Sequence, residues 1–244
     1  MRFNVILKSV NKKIPIGNRF MTCSLIKKAI ENGDENQYKE IYFYKDKKNK
    51  KIKDFTFSIY LNDFHIEKEY IQVNGDILIT ISTPNYNLGI TMYNGFLRIK
   101  EFTFKEYKLN VDKITLLKEP KINSNNITCR SLSPIYLKDK NGDSVDVQSD
   151  KFEEALNYIS NIYLETYRGE GLKEELKFTP ISMKKVVIKE EIEGFKKETG
   201  KSFIFLNSYK GIFNLEGNKE DLEILIKAGL GYRRSEGFGL VDLV

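Results

Sequence analysis

The segment GLGYRRSEGFGLVDLV, Gly229 to Val244, decides how the rest of the chain is read. Four glycines (Gly229, Gly231, Gly237, Gly239) bracket two arginines and a serine, and the last runs directly into the apolar stretch Leu240 to Val244. Glycine permits positive φ and lets main-chain N–H groups approach a ligand, while Arg233 and Arg234 offer planar donor forks that match phosphate oxygens. Upstream, Asn218 to Ala228 reads as a helix with Leu222, Leu225 and Ile226 on one face, and Gly229 stands where a glycine would end it. The order helix, glycine loop, strand is the reverse of a nucleotide phosphate loop, which also needs a Gly-Lys-Ser/Thr ending that is missing here. The loop therefore reads as an anion contact that is not built for mononucleotides. The plainer alternative is that its glycines only mark a tight turn beside packed backbone.

Working outward, 244 residues suffice for two compact domains, and 41% hydrophobic content supplies their cores. The net charge of +6, from 40 Lys+Arg against 34 Asp+Glu, is modest but locally concentrated, which favours a polyanionic partner. The segment KDKKNKKIKD places six lysines between Lys45 and Lys53, read equally as a solvated hairpin tip or as a nucleic-acid contact through Lys48 and Lys51. Cys23 and Cys129 lie far apart and His65 is the single histidine, so reduced thiols are expected, with no structural metal and no cofactor. Met1 opens no signal-peptide pattern and no apolar run reaches the length of a membrane span, so a soluble, cytoplasmic protein without a membrane partner is expected.

Periodicity divides the chain into a repeated pattern. Arg2 to Val10 reads as a strand and Arg19 to Asn32 as a helix stopped by Asn32-Gly33. Asp54 to Leu61 alternates as a strand. Tyr70 to Val73 and Asp76 to Ser82, joined by Asn74-Gly75, carry the strongest hairpin signal. A helix over Asn85 to Asn94, ending before Gly95, and a long alternating stretch from Leu97 to Leu117 complete a βαββαβ plan. The second half repeats it: a strand in Asn126 to Leu137 broken at Ser133-Pro134, and a helix over Asp150 to Tyr167 capped by Ser149. Strands over Glu174 to Lys189, Lys201 to Leu206 and Tyr209 to Leu215 follow, and then the closing helix, loop and strand. The expected fold is α+β, with two tandem ferredoxin-like domains side by side, residues 1–118 and 119–244, the second carrying the glycine-rich loop. The cleft between them is the expected binding surface.

These pieces resemble the CRISPR-associated endoribonucleases that cut repeat RNA into guide RNAs, a branch of the repeat-associated mysterious protein superfamily. The resemblance is carried by Gly229, Gly231, Arg233, Arg234, Ser235, Gly237, Phe238 and Gly239, and by MRFNVILKS, LIKKAI, DFTFSIYL and SLSPIYL in the right order. It implies metal-independent attack of a 2′-hydroxyl on the adjacent phosphate, leaving a 2′,3′-cyclic phosphate and a 5′-hydroxyl. It also implies CRISPR repeat RNA as the partner, held at the glycine-loop residues and the lysine run, and a homodimer or a place in a guide-RNA surveillance complex. In the family the base is a histidine just after the first helix, helped by a tyrosine on that helix and a lysine before the next strand. Here Lys27 stands at the tyrosine position, Lys39 at or near the histidine position beside Tyr38, and Lys53 matches the lysine. Lys27, Tyr38, Lys39 and Lys53 are thus the catalytic candidates, with a lysine of lowered pKa or Tyr38 moving the proton. His65 does not fit the motif and reads as a surface residue. A member of the family that holds RNA without cutting it is the alternative. A scaffold subunit of a surveillance complex is disfavoured because neither half carries a long insertion.

Overall fold

The computed structural model describes residues 1–44, 47–48, 51–190 and 204–244. Contacts divide the chain into two compact units: Met1–Glu119 together with Ser235–Gly237, and Pro120–Arg234 together with Phe238–Val244. Among the described residues no helix is long and apolar enough to cross a membrane.

The first unit is built on β1 (Arg2–Ser9), whose alternate residues Phe3, Val5 and Leu7 are fully buried on one face. β3 (Phe43–Tyr44), just before the lysine run, pairs with β4 (Lys47–Lys48) within it. β1 lies in a five-stranded antiparallel sheet of order β5-β8-β1-β10-β9, with β5 Thr56–Leu61, β8 Ile77–Ser82, β9 Glu101–Phe104 and β10 Tyr107–Leu116. Helix α1 (Asn18–Gly33) packs on it through Met21, Leu25, Ile26, Ala29 and Ile30, the stripe expected of a 3.6-residue period. Helix α3 (Tyr86–Leu97) begins where the Asn85 side chain accepts from the Leu88 N–H. It runs through Gly95 instead of stopping before it, and a Cβ at Gly95 would collide with the Ala29 carbonyl of α1. The glycine is there for close helix crossing, and tertiary packing overrides its usual meaning as a stop.

The expected hairpin at Asn74-Gly75 is not formed. β7 (Tyr70–Val73) pairs with β2 (Lys13–Pro15) and β6 (Phe64–Ile66) in a separate three-stranded sheet, while β8 pairs with β1 and β5. Gly75 instead allows the backbone to pass the Asn62 carbonyl, where the excursion leaves the main sheet. The sequence also gave no sign of helix α2 (Glu35–Tyr42), which has no buried residue to mark its period. It forms because Asp34 caps it, accepting from the N–H groups of Asn36 (2.9 Å) and Gln37 (3.1 Å).

The second unit repeats the plan with β11 (Asn126–Ser131), α4 (Asp150–Arg168), β12 (Lys177–Glu190), β13 (Ile204–Glu216), α5 (Lys219–Ala228) and β14 (Val241–Leu243). Its sheet order, β12-β13-β11-β14, matches the order β5-β8-β1-β10 of the first unit, so both are ferredoxin-like. Ser149 caps α4 and buried Phe152, Leu156, Ile159 and Tyr163 form its stripe, as the pattern required. The two strands expected over 201–206 and 209–215 are one continuous β13 from Ile204, with residues 201–203 outside the described residues. Asp221 of α5 is fully buried, paired with Arg168 of α4 at 2.7 Å and accepting the Lys173 N–H at 2.7 Å, which ties the two helices together.

Candidate functional site

One row of α1 organises the site in the first unit. Arg19, Cys23 and Lys27 recur every four residues and so share a face. The first two hold the glycine-rich segment: Arg19 Nε donates to the Gly237 carbonyl at 3.3 Å, and the Cys23 thiol donates weakly to the Ser235 carbonyl at 3.5 Å. Gly237 has φ +86°, and a Cβ there would lie 2.8 Å from the Phe57 ring of β5. Only glycine satisfies both the left-handed backbone and the approach of the ring.

The third member of the row, Lys27, enters an aromatic box. Its Nζ lies 5.1 Å from the Tyr42 ring centroid, 5.5 Å from Tyr38 and 5.7 Å from Phe43. Tyr38 and Tyr42 are one turn apart on α2, with centroids 5.4 Å apart. Lys53, just before β5, brings its Nζ to 5.1 Å from the same Tyr42 ring. Two ammonium groups thus share one tyrosine, whose π-face offsets part of their mutual repulsion.

The electrostatics follow from that crowding. Burial lowers the Lys53 pKa below the ordinary lysine value, with Lys27 adding to the effect while Glu236 and Cys23 oppose it. Burial pushes Tyr42 well above the ordinary phenol value, helped by Cys23 and Tyr38, so its hydroxyl stays protonated and can only donate to an anion. The cluster therefore presents two cations and a phenol donor to whatever anion enters.

The other candidates fall elsewhere. Lys39 is exposed on α2 and paired with Glu35 at 2.7 Å, which raises its pKa, the opposite of what a proton-accepting lysine needs. It lies next to Tyr38 in sequence but about 100° round the helix. His65 is exposed on β6, opposite Gln72 of β7, and has no part in the box. Lys51 is exposed, and the side chain of Lys48 lies outside the described residues. Of the two arginines, Arg233 is half-exposed with φ +56°. Arg234 is 5% exposed, its guanidinium stacked 3.7 Å above the Tyr163 ring and its Nη1 reaching the Gly229 carbonyl at 3.5 Å. That placement suits a residue that shapes the loop.

The glycines have packing reasons as well. A Cβ at Gly231 would meet the Tyr136 carbonyl at 2.6 Å, one at Gly239 would collide with the Leu230 backbone, and Gly229 takes φ +86° as it ends α5. Several loop N–H groups have protein acceptors: Leu230 donates to Gly239, Tyr232 to Tyr136, Gly239 to Pro134 and Leu240 to the Ser133 hydroxyl. Sequence reasoning missed Arg19, Cys23, Tyr42 and Glu236. The only available signal was the spacing of four between Tyr38 and Tyr42, which has meaning once α2 is known.

Comparisons with known proteins agree with this architecture. Residues 117–243 match the family described as CRISPR associated protein Cas6, C-terminal. Several solved structures match over the whole chain. A Cas6-related protein from Pyrococcus furiosus has a TM-score of 0.81 at 19% identity, over 98% of its own length. A CRISPR-associated protein Cas6 has a TM-score of 0.75 at 22% identity, over 99% of its length. A RAMP protein described as binding different RNA substrates has a TM-score of 0.80 at 18% identity, over 99% of its length. At these identities the likeness is one of fold. Among curated proteins, none matches the chain.

Proposed function

Because the chain belongs to the Cas6 family of CRISPR-associated proteins, whose members are endoribonucleases that process CRISPR repeat RNA, we propose that it cuts such RNA itself. The cut is metal-independent, by 2′-hydroxyl attack, at the box formed by Lys27, Lys53, Tyr38 and Tyr42. The observation that carries this reading is the pair of lysines on one tyrosine ring beside the glycine-rich segment. A phosphate passing through a five-coordinate transition state gains negative charge, and preorganised cations in a half-buried site stabilise it. Lys27 takes that role. Lys53 supplies a proton to the departing 5′ oxygen, and the Tyr42 hydroxyl donates to a phosphate oxygen. The products are a 2′,3′-cyclic phosphate and a 5′-hydroxyl. Excess enzyme incubated with a CRISPR repeat RNA tests this by its product ends. A 3′-hydroxyl with a 5′-phosphate would contradict it.

The lowered pKa of Lys53 fixes the sign of the pH dependence. A group that must be protonated works below its pKa and fails above it. At subsaturating RNA, where the free enzyme is reported, the rate should fall with unit slope at alkaline pH, and the fall should begin below the ordinary lysine value of 10.5. A rate that instead climbs through the alkaline range would make Lys53 a base.

RNA is held by phosphate contacts from Arg233, Lys48 and Lys51 in addition to Lys27 and Lys53. Five contacts on a single strand imply a slope near −3.5 in log affinity against log salt, so affinity falls roughly 100-fold between 50 and 200 mM. Filter binding across that range measures it, and a flat profile would exclude the electrostatic account. The second reading, a protein that holds RNA without cutting, is favoured by the position of His65, which leaves the box without an imidazole.

A further inference from the structure

Among the described residues, the side chains of the box are cations and donors, and none of them accepts the 2′-hydroxyl proton. One carboxylate acts on the box from a neighbouring turn whose backbone is held in place. Glu236 lies between Ser235 and Gly237, and α1 grips the carbonyls of both neighbours, through Cys23 at 3.5 Å and Arg19 at 3.3 Å. The segment is thus pinned on either side of Glu236 to the helical row that reaches Lys27 one turn beyond Cys23. The Phe57 ring and the Arg19 side chain also crowd the position a Cβ on Gly237 would take, so the turn has little freedom to shift. Glu236 is half-exposed, and its negative charge favours the protonated form of Lys53.

We propose that the Glu236 carboxylate is the base that takes the 2′-hydroxyl proton, with the Lys53 ammonium as the acid for the departing 5′ oxygen. The assignment rests on the cleavage reaction proposed above and supplies its missing proton acceptor. The O2′–H bond breaks and its proton passes to the carboxylate while O2′ bonds to phosphorus. The P–O5′ bond breaks, and O5′ takes a proton from Lys53. Return of the proton from the carboxylic acid to the Lys53 amine, directly or through water, restores the resting pair, and nothing else is consumed.

Two alternatives inside the box are weaker. The Tyr42 phenol is held protonated by burial and donates instead of accepting. A lysine serving as base would have to be neutral, which an ordinary lysine is in fewer than about one molecule in a thousand at pH 7. It would also remove one of the two cations that the charged phosphorane needs. A carboxylate is a weaker base than an amine, but as a class it is ionised at neutral pH and leaves both cations in place. The same charge disfavours the incoming phosphate, so this residue works against RNA affinity.

The test is Glu236→Gln under single turnover with a CRISPR repeat RNA, with affinity measured alongside. The expected result is a rate loss of roughly 10²- to 10⁴-fold with RNA bound as tightly as by the wild type, or tighter. A substrate with sulfur in place of the bridging 5′ oxygen separates the two roles, since a thiolate leaves without an acid. It should rescue Lys53→Ala and leave Glu236→Gln slow. Glu236→Asp, which keeps the carboxylate, should retain more activity than Glu236→Gln. A Glu236→Gln enzyme cutting within threefold of wild type would overturn the assignment, and so would rescue of that variant by the sulfur substrate. If the wild type binds the RNA and never cuts it, the cleavage reading itself fails, and the assignment falls with it.

Discussion

Replacing Lys53 by alanine is expected to slow single-turnover RNA cleavage by roughly 10³-fold, the scale of losing a positioned proton donor. RNA affinity should change far less, since one phosphate contact among several is removed. Lys39→Ala is the matched control: its side chain is exposed and tied to Glu35, and its rate should stay close to wild type. Stability adds a second readout that separates catalysis from folding. Because the folded state lowers the Lys53 pKa, the unfolded chain holds that proton more tightly. Stability therefore rises with pH between the lowered value and 10.5, and at neutral pH the half-buried ammonium is a liability. Lys53→Met should accordingly melt no lower than wild type while failing to cut. A variant that lost activity only in proportion to lost stability would make Lys53 structural.

Gly237→Ala should act on fold and chemistry together. The new Cβ would meet the Phe57 ring at 2.8 Å in a backbone with φ +86°. A left-handed non-glycine residue costs about 1–2 kcal/mol and overpacking a further 1–3. The sum, about 2–5 kcal/mol, corresponds to a melting temperature lower by about 4–20 °C for a chain of this size. Displacing this turn also moves Glu236 and the carbonyls gripped by Arg19 and Cys23, so the cleavage rate measured well below the melting transition should fall at least tenfold. An alanine variant that melts and cuts like wild type would show that the turn neither requires glycine nor positions the site.

The βαββαβ plan of both units was legible because it is written in periodicity. Phe3, Val5 and Leu7 alternate, Leu25, Ile26, Ala29 and Ile30 recur at helical spacing, and Asn218 and Gly229 punctuate α5. What failed were signals that are local in sequence but decided by distant partners. Asn74-Gly75 looks like a hairpin turn, yet β8 finds better-buried neighbours in β1 and β5. Gly95 looks like a stop, yet it is the point where α1 crosses α3. Short α2 puts only Tyr38, Ile41 and Tyr42 against the core, all partly buried, too few positions to stand out as a helical period among its polar residues.

The same limit applies to the site. Lys27 and Lys53 could be proposed from a resemblance, but Tyr42 became visible only when α2 set its phase, which also turned Lys39 outward. Arg233 and Arg234 are adjacent and chemically equivalent in sequence. One is half-exposed and the other lies on Tyr163, a difference made by the left-handed turn at Arg233. Glu236 and Lys53 are separated by most of the chain, and only the fold brings their charges together.

The most direct test of an imidazole-free ribonuclease is cleavage of one CRISPR repeat RNA in excess chelator, compared with the same RNA carrying a single 2′-deoxy nucleotide at the scissile position. The account predicts that the intact RNA is cut to a 2′,3′-cyclic phosphate end while the deoxy RNA is bound equally well and left whole. Cleavage of both at that position, or lasting tight binding of the intact RNA without any cut, would contradict it.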